Sequence, residues 1–202
     1  MAILRIKGTA EKEYHYDVMT ITVTFRAKDH SSAKALDEVM KQSESFLETL
    51  QEKGMDISKL QLGQNELSEY SHKEALYMAS RGVVIITEFN MALLNEINDI
   101  VSDKRFDALL DSDYDLSNEN ELRGDLIKAA IEDSKKKAEL ACSVTGQEII
   151  GIKKIDLGET EDFYYRDKLH FVLKEGSAKL SDQLQSPTTT LDESVMVVWE
   201  IQ

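Results

Sequence analysis

Three groups of residues have the types, or the spacing, that chemistry would need. The run Asp111-Ser112-Asp113-Tyr114-Asp115 sets carboxylates at the first, third and fifth positions of a calcium loop. Such a loop requires glycine at position six and glutamate at position twelve. Leu116 and Leu122 stand there instead, with the glutamate one place early at Glu121. A strand end leading into a helix accounts for the run better, with Ser117 or Asn118 as cap and Glu121 completing a capping box. The second group is the histidines and the cysteine. His15, His30, His72 and His170 lie in separate segments with no ligand spacing among them. Cys142 has no histidine near it in sequence to activate it and reads as a small packing residue. No Gly-rich phosphate loop, Gly-x-Ser-x-Gly elbow or His-Glu-x-x-His pattern is present. The sequence therefore predicts no catalytic residue, no cofactor and no metal. An enzyme would need a buried carboxylate pair or a Cys142–histidine contact made by the fold.

The third group is aromatic: Phe163, Tyr164 and Tyr165, then His170 and Phe171. They fall in 158–194, a connection too long and too aperiodic to be a simple turn. It also holds the only proline, Pro187. Tyrosine and phenylalanine cover much area for little lost rotamer entropy, which suits an interface. These five residues are the candidate interface; the competing reading makes them a lid on the protein's own core.

The whole chain narrows the partners. Its 202 residues, 42% hydrophobic and 31% charged, suffice for a folded core. A formal charge of −14 argues against nucleic acid, whose phosphates need a basic footprint, and against anionic membrane surfaces. One cysteine excludes an internal disulfide and a multi-cysteine zinc centre. No apolar run approaches the ~20 residues that span a bilayer, and the first residues show no secretory pattern. The expectation is a cytoplasmic protein without membrane insertion, unless a leader has been trimmed.

The elements that must position these residues follow from two periods. Ile3 to Ile6 reads as a short strand. Val18 to Phe25 alternates cleanly, Met19, Ile21, Val23 and Phe25 against Thr20, Thr22 and Thr24, as a half-buried strand does; the threonines line a wet sheet face or a subunit contact. These two strands are expected to pair antiparallel. Beyond Ser31 and Ser32, plausible caps, an apolar stripe from Leu36 to Leu50 marks a helix that Gly54 ends. Lys59–Tyr70 and Leu76–Phe89 read as strands, with Val83 to Ile86 apolar on both faces and hence central. A helix striped by Leu93, Leu94, Ile97, Ile100 and Val101 follows, then a strand near Phe106–Leu116. The last two strands lie at Ile149–Leu157 and Val195–Ile201. The order ββαββαβαββ predicts an α+β fold, one domain over 1–202 with helices over a largely antiparallel sheet. No sequence period recurs, although the strand–helix rhythm suggests two related halves.

Between Gly124 and Gly151 the apolar stripe turns thin. Leu126, Ala130, Ser134, Ala138 and Ala141 fall on one side of a wheel, with Ile127, Ile131 and Val144 flanking. Lys135-Lys136-Lys137 belongs to the solvated side. Small side chains let a helix axis approach closely, and the expected neighbour is the sheet. Gly146 stops the helix.

The alanine helix, Gly146 and Gly151-Ile152-Lys153-Lys154-Ile155 resemble the SIMPL-domain family. So do Ile6-Lys7-Gly8-Thr9-Ala10, Tyr16-Asp17, Lys53-Gly54-Met55, Tyr114-Asp115-Leu116-Ser117 and the closing Val195-Met196-Val197-Val198-Trp199. The likeness covers roughly residues 3–157 and 188–202. It implies a protein of unknown specific role that acts through homo-oligomeric assembly or contact with a protein partner, since some members form rings, and it implies a stress-related setting. Many bacterial members are exported, and Phe163 to Phe171 is more aromatic than is usual there. The alternative is a small-molecule binding domain with a pocket between sheet and helices, gated by Tyr164 and Tyr165.

Overall fold

Alternation every second residue makes long strands here, and apolar residues three and four apart make the helices that cover them. The computed structural model describes residues 2–71, 75–157 and 185–202. In chain order the elements are β1 (Ala2–His15), β2 (Val18–Asp29), α1 (Ser32–Glu52), β3 (Gln61–Ser71), β4 (Leu76–Glu88), α2 (Met91–Asp103), β5 (Ala108–Asp115), α3 (Glu119–Thr145), β6 (Ile149–Asp156) and β7 (Thr188–Ile201). A single 3-10 turn, Ile57–Lys59, leads into β3. The order is the ββαββαβαββ read from sequence, and the fold is α+β.

The strands form two antiparallel sheets, ordered β1-β7-β6 and β3-β4-β2-β5. One unit of the chain holds β1, α3, β6 and β7; the other holds β2 to β5 with α1 and α2. The expected β1–β2 pair does not form. β1 runs in register with β7 from Ala2↔Ile201 to His15↔Thr188, and β2 pairs with β4 and β5. The link between β1 and β2 shows why. Tyr16 N–H donates to Pro187 O at 3.1 Å and Asp17 N–H to Asp115 O at 3.2 Å, so adjacent peptides serve different sheets. β1 is also far longer than its apolar start suggests, because its polar half is held by backbone pairing to β7 rather than by burial.

In the unit built on β2, Met19, Ile21, Val23 and Phe25 are fully buried beneath α1. From α1 come Ala35, Val39, Ser43, Phe46 and Leu50. Phe25, Phe46 and Phe106 pack as a ring cluster, with centroids 5.3 to 6.5 Å apart. Ser31 occupies the N-cap of α1 without a side-chain cap bond; its N–H instead donates to Asp29 Oδ1 at 2.8 Å. Gly54, at φ +87°, takes the left-handed turn that ends this helix. Asn90 Oδ1 caps α2 by accepting from Leu93 N–H at 3.0 Å. β4 is central, as its apolar run required, and Val83 and Ile85 face the core while Ile86 remains 52% exposed.

The rhythm of two halves has a topological counterpart. β2-α1-β3-β4 gives the order β3-β4-β2, and β1 with α3-β6-β7 gives β6-β7-β1. In each, the second strand of the hairpin after the helix lies in the middle. The strand just before α3, β5, joins the other sheet, and β1 fills the place it would have taken.

Candidate functional site

The thin helix is where the sequence placed most of its information. α3 packs on β1 and β7, and its buried residues are Leu126, Ala130, Ser134, Ala138 and Cys142. Against them stand Val195, Val197, Trp199 and Ile201 from β7, with Leu4 and Ile6 from β1. Cys142 takes the last position of the stripe where Ala141 was expected, and Val144 is 81% exposed rather than flanking. Residues four apart drift about 40° per step around a helix, so the buried line winds as it follows a twisted sheet. By the C-terminal turns it has left the side of Ala141 and Val144.

Closest approach is at Gly8, where a Cβ would lie 1.8 Å from the Ala130 carbonyl oxygen and 2.9 Å from Ser134 Cβ. Ser134 is fully buried and polar. Its Oγ accepts from Trp199 Nε1–H at 3.1 Å and donates to Ile6 O at 3.3 Å, tying helix, central strand and edge strand together. Replacing Ala138, fully buried on the same line, with leucine should lower stability by roughly 1–3 kcal/mol through overpacking; a urea midpoint equal to wild type would contradict that contact.

Charged groups brace the rim. Arg123 Nη1 donates to the buried Glu193 at 2.9 Å, and Arg123 Nε donates to Glu119 at 2.8 Å. Asp133 accepts from Lys137 Nζ at 2.6 Å and from Thr9 N–H at 2.9 Å. The Lys137 bond, then the Thr9 bond, hold its carboxyl below the usual carboxylate range. A depressed folded pKa stabilises the fold above the unfolded value, and that contribution is lost as pH falls through the folded one. Asp133→Asn should therefore flatten the decline of the denaturation midpoint as pH falls through and below the ordinary carboxylate range, measured against wild type.

The other candidates disperse. Asp111, Asp113 and Asp115 alternate along β5 with Ser112 and Tyr114, and all three are exposed. Asn118 is the N-cap of α3 without a side-chain cap bond; Glu121 N–H donates to the Asn118 carbonyl instead, so the capping box does not form. Among the described residues, no three histidine, cysteine, aspartate or glutamate side chains converge on a point that could hold a metal ion. Cys142 is a buried free thiol. His15 ends β1 and His30 lies between β2 and α1. His72, His170 and the candidate interface, Phe163, Tyr164, Tyr165 and Phe171, lie outside the described residues. A hollow at the start of α1 is lined by Lys28, Asp29, Lys34, Asp37, Glu38 and Lys41; Lys41 pairs with Asp37 across one turn at 2.6 Å. Among the described residues, no helix is long and apolar enough to cross a membrane.

Sequence reasoning missed the surface. In each unit one edge strand leaves three large apolar side chains in the open, Leu62, Leu67 and Tyr70 on β3 and Ile150, Ile152 and Ile155 on β6, while the other edges leave only Leu109 on β5 and Ile3 on β1. α1 packs on β2 and β4, and α3 on β1 and β7, so among the described residues the outer strand of each hairpin is hardly covered. The signal was an apolar residue recurring in strands too polar to be central.

The model of one family, described as SIMPL, protein of unknown function (DUF541), matches residues 4–199. No curated protein matches the chain.

Proposed function

The chain belongs to the SIMPL family, and from that premise we propose that it acts through assembly and protein contact, without catalysis. The observation that carries this reading is the pair of apolar edge strands, β3 and β6, each exposing three large side chains. An edge strand of this kind offers unpaired N–H and C=O groups together with apolar area, which is what another chain needs to add to the sheet. The aromatic run at 163–171 supplies a second candidate surface. The stress-related setting implied by the family likeness is part of the same proposal.

Light scattering tests it. The expected result is a mass above that of one 22.9 kDa chain at high micromolar concentration. A monomer at that concentration would remove the oligomer claim. A mass that falls on deleting residues 160–185 would assign the contact to the aromatic run, and one that stays would assign it to the edge strands.

A further inference from the structure

We infer that β3 is the strand through which two copies of this chain pair, antiparallel, about a two-fold axis at Leu67. The inference rests on the assembly reading above and names its interface. Among the described residues β3 is an edge of its sheet. Its eleven residues contain neither proline nor lysine, the residues that commonly blunt an edge. The other edge of that sheet, β5, carries Asp111, Asp113 and Asp115, which would repel a copy of themselves. β6, an edge of the three-stranded sheet, carries Lys153 and Lys154, the residue type that commonly blunts an edge.

The face matters as much as the edge. Register pairs Leu62 with Val83, Asn65 with Arg81 and Leu67 with Ala79, so these three β3 residues point to the helix-covered face. Yet Leu62 is 61% and Leu67 43% exposed. The reason lies in α1. Gln42 binds Arg26 O and Asp107 N–H, which fixes one flank of α1 toward β5. At 100° per residue, Leu36 and Met40 lie on the opposite flank, toward β3, and they too are 40% and 44% exposed. Among the described residues an apolar notch is left beside α1.

Register sets Arg81 on this same face, beside Asn65. Its Nε is a buried side-chain nitrogen with no hydrogen-bond partner among the described residues. Such a group costs stability until an acceptor reaches it. The in-register run Asn65–Glu69 lies between two irregularities, and Leu67 is its centre. Pairing that run with its copy about Leu67 sets Leu67 against Leu67, Glu66 against Ser68, and Asn65 against Glu69. Facing residues share a face, so the Glu69 of one copy joins Asn65 and Arg81 of the other in a single row. Two strand spacings are roughly 10 Å, within the combined reach of arginine and glutamate side chains. The contact is isologous and supplies each Arg81 with a carboxylate. It would also join two four-stranded sheets into one.

Cysteine trapping and charge reversal test this together. Leu67→Cys should oxidise to a covalent dimer, because a residue on the axis faces itself at disulfide distance; Asp111→Cys on β5 should not, and Cys142 is buried. Arg81→Glu and Glu69→Arg should each raise the dimer dissociation constant by about tenfold or more, and the double variant should return it to within about threefold of wild type. Circular dichroism establishes that each variant is folded. Leu67→Cys cross-linking no faster than Asp111→Cys would overturn the interface, as would a double reversal weaker than both singles. Self-association that survives both would leave the broader assembly reading in place, whereas a monomeric wild type would overturn both.

Discussion

Gly8→Ala should destabilise the unit holding α3 by about 3 kcal/mol, at the upper end of what overpacking costs. The added methyl would occupy a point 1.8 Å from the Ala130 carbonyl oxygen and 2.9 Å from its carbon. Neither atom belongs to a flexible side chain. Relief requires the helix to lift from β1, which would loosen Ala130, Ser134 and Ala138 together, all fully buried. Trp199, the single tryptophan, sits under α3 in β7 and reports this unit by fluorescence. Gly124→Ala is the control: nothing lies within 4 Å of its Cβ, and alanine there should stabilise the helix by about 0.5–1 kcal/mol. A Gly8→Ala midpoint no lower than that of wild type would refute the close approach.

Ser134→Val should cost about 2 kcal/mol although the two side chains are nearly the same size. Valine neither accepts from Trp199 Nε1–H nor donates to Ile6 O, and both groups would be left without those bonds. Trp199→Phe removes the indole donor. In that background Ser134→Val should cost less, by about 1 kcal/mol, since one of the orphaned groups is already gone. Denaturation followed by circular dichroism closes the cycle. Additive losses would mean that the hydroxyl does not serve the indole and that its place in the stripe is a matter of volume alone.

These two residues show where the sequence could be read and where it could not. Serine in an otherwise alanine stripe marked a small residue on a buried face, and that face is where it lies. Nothing in the local sequence indicated that its hydroxyl would find an indole 65 positions away. Gly8 sits in a strand whose apolar residues stop early, and its purpose depends wholly on the helix above it. The Asp111–Asp115 run could be denied a calcium loop from its own spacing, because the requirement for glycine is local. The aromatic run at 163–171 could be picked out by type but not assigned a surface.

By itself the sequence determined the kinds and order of the elements, the centrality of β4 and the thinness of α3, because period, caps and left-handed glycines act over a few residues. It also carried the family likeness. Only the tertiary structure decided that β1 leaves β2 for β7, that β5 and β1 exchange places, and that β3 and β6 lie at edges left uncovered among the described residues. Strand partners are chosen by backbone bonds that any residue can make, so the choice leaves little trace in side-chain type. Covering depends on where a helix comes to rest, and no short stretch of chain encodes that.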